Sequence, residues 1–215
     1  MSKNHLFSTN HRGTVADIGP SSFILHPSSF DQKGFVLWLT GLSGAGKTTL
    51  AVILEKELQR RGLKVERLDG DTVRESLTHD LGFSKEDRQK NIERVTFVAK
   101  LLSRNGVACI CAFISPYEAV REYVRENTTH FVEVYVDAPL DVLIERDVKG
   151  LYRKALAGQI DHFTGVSDPF EEPARPDLHL HTDQETPEES AGRILRYLEE
   201  IGYAPIEMEE VGEKR

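Results

Sequence analysis

The chain has 215 residues, 39% of them hydrophobic, and carries a formal net charge of −8. That length builds one good-sized core and falls short of two ordinary domains, while the acidic balance excludes a sequence-independent polyanion binder, which needs a basic field to release counterions. No run reaches the length of a membrane span and no charged-then-apolar leader opens the chain, so a cytoplasmic protein with neither a membrane nor a nucleic-acid partner is expected, holding any anionic ligand in a local pocket.

Residues 1–33 mix Ser, His, Asn, Pro and Gly with scattered Phe and Ile, including the near-repeat Pro20-Ser21-Ser22-Phe23 and Pro27-Ser28-Ser29-Phe30. Neither strand nor helix periodicity lasts there. This is an irregular N-terminal arm whose aromatic residues have the domain or a second subunit to dock on, and whose histidines are too unevenly spaced for a metal motif. The domain begins with the apolar run Phe35-Val36-Leu37-Trp38-Leu39-Thr40, read as a strand. It passes into Gly41-Leu42-Ser43-Gly44-Ala45-Gly46-Lys47-Thr48-Thr49 and a helix over 47–61, with Leu50, Ile53, Leu54 and Leu58 on one face and Gly62 as its stop.

The segment from Gly41 to Thr48 matches G-x-x-x-x-G-K-[ST] at every required position between a strand and a helix, the context of a phosphate-binding loop. Its glycines let the backbone curl so that successive N–H groups face phosphate oxygens at the positive end of the following helix. Lys47 is expected at the β- and γ-phosphates of a bound nucleotide, and the Thr48 hydroxyl on Mg²⁺.

A short alternating strand over 64–69 ends in Asp69-Gly70-Asp71, and 72–77 reads as a brief helix. Ser84, with Asp87 three residues on, opens a long helix that runs to about Asn105 and stops at Gly106. The continuous apolar run over 107–114 is a strand buried on both faces, and Cys109 and Cys111 share one of those faces as buried thiols rather than a disulfide or metal site. A helix over 116–127, a strand over 131–136 and a helix over 139–147 follow. From 149 to 176 the glycines and prolines Gly150, Gly158, Gly165, Pro169, Pro173 and Pro176 interrupt any pattern, so this segment is read as an irregular lid. A last short strand covers 178–180. Thr186-Pro187-Glu188-Glu189 starts a helix that Gly202 ends, before an acidic tail over 205–215. The alternation gives an α/β three-layer domain over 34–204: a five-stranded parallel sheet, helices on both faces, and ligands at the carboxyl ends of the strands.

Polar residues that follow apolar strands face such a loop. Asp69 and Asp71, at i and i+2 on an extended segment, point the same way toward Lys47; one suits Mg²⁺ or its waters and the other suits an attacking hydroxyl. A solvated Asp-Gly turn is the alternative. Arg74 lies one helical turn beyond Asp71 and on its side. Arg88 and Asn91, at i and i+3, offer a fork for an oxyanion and an amide for a base or sugar edge, or else an exposed helix face in a charged stretch. Ser115, after the buried strand, either bonds a ligand or caps the next helix. Arg146 and Lys149 place cations where a closing lid meets transferring phosphate. Phe163 is either a stacking platform for adenine or a loop anchor.

Taken in order, these pieces resemble the adenylylsulfate kinase family. The resemblance rests on Trp38 through Thr49, Asp69-Gly70-Asp71 with Arg74, and Leu81-Gly82-Phe83-Ser84 with Asp87-Arg88 and Asn91-Ile92. It continues through Ile114-Ser115-Pro116, Glu145-Arg146-Asp147-Val148-Lys149-Gly150-Leu151-Tyr152 and Phe163-Thr164-Gly165 to about Thr182. It implies ATP- and Mg²⁺-dependent phosphorylation of the ribose 3′-hydroxyl of adenosine 5′-phosphosulfate. Gly41 through Thr49 and Arg146 then hold ATP, and Thr48 and Asp71 the metal. Asp71, Arg74, Phe83, Arg88, Asn91, Ile114, Ser115, Lys149, Leu151 and Phe163 hold adenylyl sulfate, with Phe83 and Phe163 sandwiching its adenine. Lys47, Asp69, Asp71 and Ser115 are the implied catalytic set; Ser115 matches a serine that the family description treats as a phosphoserine intermediate, although direct in-line transfer requires no covalent enzyme step.

The same resemblance implies a homodimer and a sulfate adenylyltransferase as partner or fusion. Three positions depart from the family's pattern: Glu93 stands where a basic residue is usual, Leu156 where the lid usually has Arg, and the arm lacks the family's Trp-His motif. The alternatives are another small-molecule kinase of this fold, acting on a nucleoside monophosphate or a sugar, and a nucleotide-binding regulatory module without turnover.

Overall fold

The computed structural model describes residues 32–206; most of the arm assigned to 1–33 and of the tail assigned to 205–215 lies outside that range. Five parallel strands, β1 (Phe35–Thr40), β2 (Val65–Asp69), β3 (Ala108–Ala112), β4 (Phe131–Asp137) and β5 (Leu178–His181), form one sheet in the order β2-β3-β1-β4-β5. All of β1 and β3 is buried, as the unbroken apolar runs require when helices cover both sheet faces.

Alternation along β1 divides the core. Phe35, Leu37 and Leu39 pack with Leu50, Leu54 and Leu58 of α1 (Lys47–Arg60) and Ile194 and Leu198 of α7 (Pro187–Glu200). Val36 and Trp38 turn to the opposite face, with Ile92, Val95 and Ala99 of α3 (Lys85–Arg104) and Val120 and Val124 of α4 (Glu118–Asn127). Cys109 and Cys111 sit in this second layer, free, with their sulfurs 3.7 Å apart; burial pushes the Cys111 thiol up.

The expected helix starts hold. The Ser84 side chain accepts from the Asp87 N–H, and Thr186 and Glu189 form a reciprocal capping box with Pro187 at the first turn. Two boundaries differ from the expectations in ways that move side chains of the site. The brief helix α2 spans Gly70–Glu75 rather than 72–77, because the Asp69 side chain caps it by accepting from the Asp71 N–H. Chain therefore turns helical directly after β2. Within the segment read as irregular, α6 (Leu151–Leu156) follows α5 (Leu140–Arg146). Its flanking glycines are helix ends and not breaks: Gly150 is the left-handed N-cap, Gly158 also has positive φ, and the Asp147 carboxylate accepts from Tyr152 and Arg153 N–H. Tyr152 and Ala155 fasten the helix to the core. Among the described residues no helix is long and apolar enough to cross a membrane.

Candidate active site

The phosphate loop lies at the carboxyl end of β1, beside the point where the strand order changes direction. Gly41 has φ of 148°, and a Cβ there would fall 2.1 Å from the Val136 carbonyl oxygen, so only glycine passes the end of β4. Gly46, at φ 103°, is the N-cap of α1 and supplies no side-chain acceptor to its first turn. The first N–H groups of a 14-residue helix are thus left for a ligand.

Lys47 is buried, and its ammonium donates to the Gly41 and Leu42 carbonyls at 2.9 and 2.7 Å, folded back across the loop. Burial brings its pKa down to about 8 from 10.5; Asp69 raises it and Lys149 lowers it further. The Thr48 hydroxyl donates to Asp69 Oδ2 at 2.7 Å, while Asp69 Oδ1 accepts from Asp71 N–H at 3.1 Å. Arg146 donates to the carbonyl and hydroxyl oxygens of Thr182, and the Thr182 hydroxyl donates to the Ala45 carbonyl at 2.9 Å. The Tyr152 hydroxyl donates to the Ser43 carbonyl at 2.9 Å. Three later segments thus brace the outside of the loop.

A cavity of about 570 Å³ joins the loop to the second set of predicted residues. Ser43, Gly44, Gly46, Lys47, Thr48 and Thr49 line one end; Asp69, Asp71, Arg74, Phe83, Arg88, Asn91, Ile114, Ser115, Lys149, Leu151 and Phe163 line the rest. Gly41, Ala45 and Arg146 stand behind this lining, and Leu42 borders a separate cavity of about 610 Å³.

Several expectations need correction. Asp69 and Asp71 do not share a face of an extended segment, because Gly70 begins a helix: Asp69 is buried against Thr48, whereas the Asp71 side chain is 73% exposed and pairs with Lys149. The carboxylate that meets Thr48 is therefore Asp69, not Asp71. Arg88 and Asn91 do not lie on an exposed face. Asn91 is buried, its carbonyl oxygen accepting from the Thr78 hydroxyl at 2.8 Å, and the Arg88 side chain is 10% exposed. The inward stripe of α3 is Arg88, Asn91, Ile92 and Val95, a helical spacing that was readable among the surrounding charges. Ser115 caps nothing: the N-cap of α4 is Tyr117, and the buried Ser115 hydroxyl oxygen accepts from Trp38 Nε1 at 2.9 Å.

The far wall is rich in cations. The Arg74 guanidinium stacks 4.3 Å over the Phe83 ring and donates to the Leu81 and Gly82 carbonyls. Arg88 approaches the same ring at 5.9 Å and donates to the Phe83 carbonyl, the Thr164 hydroxyl and the His162 carbonyl, with Asp168 3.8 Å away. Burial and the neighbouring Arg88 both lower the Arg74 pKa. Two guanidinium groups on one ring, bound largely to neutral oxygens, favour an incoming anion. Phe163 meets Tyr152 edge-on at 5.1 Å. Tyr152 and Thr164 carry no role in the sequence-based reading; the signal for them was the motif around each, Gly150-Leu151-Tyr152 and Phe163-Thr164-Gly165.

A glycine loop at the switch point of a parallel sheet, with a buried lysine, a Thr–Asp pair and a facing cationic wall, defines a phosphate-loop phosphotransferase of the α/β class. Residues 33–181 match the family model described as Adenylylsulphate kinase, and the chain belongs to that family. It is 68% identical over 166 residues to the "Probable adenylyl-sulfate kinase" of Pseudomonas aeruginosa, covering 77% of this chain and 78% of that protein. It is 55% identical over 174 residues, 81% of this chain, to a Sorangium cellulosum "Probable bifunctional SAT/APS kinase 2", of which the match takes 30%. Among solved structures, the Mycobacterium tuberculosis APS kinase in complex with AMPPNP and APS superposes with a TM-score of 0.76 at 40% identity, covering 78% of this chain and 99% of that one.

Proposed function

We propose that this kinase transfers the γ-phosphoryl group of ATP to the ribose 3′-hydroxyl of adenosine 5′-phosphosulfate, giving 3′-phosphoadenylyl sulfate and ADP. The observation that carries this reading is the single cavity shared by the phosphate loop and the Arg74–Phe83–Arg88 wall, which suits two anionic nucleotides meeting end to end. Family membership supports the same donor and acceptor.

The residues take these roles. The loop amides and Lys47 hold the β- and γ-phosphates, and Lys47 stabilises charge on the transferring oxygens. Thr48 and Asp69, two hard oxygen donors 2.7 Å apart, would hold Mg²⁺, which would supply positive charge to offset that of the nucleotide's phosphates. Asp71, exposed and paired with Lys149, exchanges that partner for a ribose and orients or deprotonates the acceptor hydroxyl. Arg74, Arg88 and Lys149 bind the phosphosulfate, with Asn91, Ile114, Leu151 and Phe163 around the nucleoside and Phe83 and Phe163 on its base. Ser115 stays a wall residue, its hydroxyl already engaged by Trp38. Segment 149–176, including α6, serves as the lid.

A homodimer in the cytoplasm, working with or fused to a sulfate adenylyltransferase, completes the proposal. The fused Sorangium relative supports the partner, and Phe97 on α3, 64% exposed, is in keeping with a subunit contact. Measuring ADP formation with adenylyl sulfate against AMP tests the central claim: strong preference for adenylyl sulfate is expected. Equal use of AMP would favour a nucleoside monophosphate kinase, and tight adenylyl sulfate binding without product would favour a regulatory module.

A further inference from the structure

We propose that Asp137, His179 and His181 form a binding site for a borderline divalent transition metal, Zn²⁺ being the best match, at the β4–β5 edge of the sheet. The topology puts the three together. In the parallel register Asp137 lies opposite His181 and Tyr135 opposite His179. The two histidines, at i and i+2 on β5, therefore present their rings on one face, with ring centroids 4.3 Å apart.

Each residue offers one ligand atom, and all three atoms lie within 4.8 Å of one another. His179 Nε2 is 3.0 Å and His181 Nδ1 3.8 Å from the same oxygen, Asp137 Oδ2. Bonds of about 2.0–2.1 Å around a tetrahedral Zn²⁺ require ligand atoms roughly 3.3 Å apart, and the two distances bracket that value. A plain His–Asp hydrogen bond accounts for His179 alone. It gives no reason for a second imidazole to crowd the same oxygen.

The surroundings match a metal centre as well. The Tyr135 hydroxyl donates to the other carboxylate oxygen, Asp137 Oδ1, at 3.2 Å, and its ring stacks on His179 at 4.6 Å. Both contacts hold ligands in orientation, as the outer partners of metal sites do. Two imidazole nitrogens and one carboxylate oxygen suit Zn²⁺, Co²⁺ or Ni²⁺ and disfavour Mg²⁺, which takes oxygen ligands. The His179 and His181 side chains are 40% and 46% exposed, leaving room for water in the fourth position. The site is separate from the Thr48–Asp69 pair, yet the next residue, Thr182, donates to both the Asp137 and Ala45 carbonyls. A metal here pins the two strand ends on which the phosphate loop leans.

The test is a Co²⁺ titration of the chelator-stripped full chain, followed by visible absorption, then displacement by Zn²⁺. Expected is one saturable equivalent with the intense bands of tetrahedral Co²⁺ and a Zn²⁺-dependent rise in Tm, both absent from His179→Ala/His181→Ala. Tyr135→Phe should weaken binding about tenfold. Circular dichroism of the stripped variants checks folding, and His181→Gln serves if the double variant does not fold; it too should lose the bands. Absence of a saturable spectrum overturns the site. So does a spectrum that survives these substitutions, which would assign binding to histidines elsewhere, such as His5, His11 and His26 of the arm.

Discussion

The two ends of the cavity are built differently. At the phosphate-loop end Lys47 and Thr48 open the long helix α1 and Asp69 ends β2; Lys47 and Asp69 lie buried, Thr48 does not, and the three satisfy one another or the loop carbonyls at 2.7–2.9 Å. At the opposite end Phe83 is 58% exposed, and the Asp71 and Lys149 side chains 73% and 57%. Its cations come from a short helix, the first turns of α3 and the start of the lid. As the proposed donor end, the loop end is preorganised, so its binding energy goes into positioning and charge stabilisation. The acceptor end is held by contacts that a ligand must exchange: guanidinium–carbonyl bonds and an exposed ion pair, each of modest strength.

The largest difference should follow from Lys47→Ala. Turnover is expected to fall on the order of 10³-fold, as for loss of a preorganised donor at a transferring group, while the fold persists. The sign for stability is fixed by titration: the folded pKa, about 8, lies below the ordinary 10.5, so charged Lys47 is a burial cost below pH 8 that vanishes as the unfolded chain also deprotonates. Tm at neutral pH should therefore hold or rise; substantial residual turnover would remove Lys47 from the chemistry. Arg88→Ala comes next. Losing hydrogen bonds to a charged group costs about 1.5–3 kcal/mol, or roughly 10–100-fold in KM for adenylyl sulfate, with ATP nearly unaffected. Equal effects on both substrates would mean the two ends are assigned the wrong way round.

What was legible in the sequence follows the same divide. The donor end is local: loop, strand and helix are contiguous, and the spacing of Gly41, Gly46, Lys47 and Thr48 specifies them directly. The spacing marks Asp69 and Asp71 as a pair but gives them one face, because the strand period carries on two residues past Asp69, which in fact caps a helix. The acceptor end joins Arg74, Arg88 and Phe163 across nearly ninety positions, and only the ordered series of family motifs announced that they meet. Arg88 shows why residue type misleads there. It lies in a run of charges that resembles a solvated face, yet a carbonyl, a hydroxyl and an aromatic ring draw it inward. The helix α6 is hidden in the sequence for a simpler reason, since glycine marks the two ends of a short helix as readily as it marks a loop.

pH sharpens the comparison, since the phosphate-loop end carries a buried cation, Lys47, whose pKa burial brings down to about 8. Bound polyphosphate raises the Lys47 pKa above its free value of about 8. ATP affinity is then constant below that pH and falls by up to tenfold per unit above it. Calorimetry above pH 8 should show proton uptake on ATP binding, and a flat profile would place the charge elsewhere. At the acceptor end, Phe83→Leu keeps bulk but removes the ring that two guanidinium groups share. Aromatic and cation–π contacts of about 0.5–1.5 kcal/mol convert to a rise of roughly two- to tenfold in KM for adenylyl sulfate, with kcat for saturated enzyme little changed.

The smallest effect tests the lid. Leu156 ends α6, is 59% exposed, and stands where the family resemblance implies an arginine. Nothing packs it into the core, so Leu156→Arg removes no buried contact, and a cation in the last turn of a helix is mildly stabilising, by about 0.3–1 kcal/mol at most. If the lid closes over ATP as proposed, the new cation reaches the phosphates only in the closed state. It should lower KM for ATP by a few-fold and leave the KM for adenylyl sulfate unchanged. If instead the donor end is sufficient without a lid cation, steady-state kinetics will not distinguish the variant from the parent, and α6 is then a structural helix fastened by Tyr152 rather than part of a closing element.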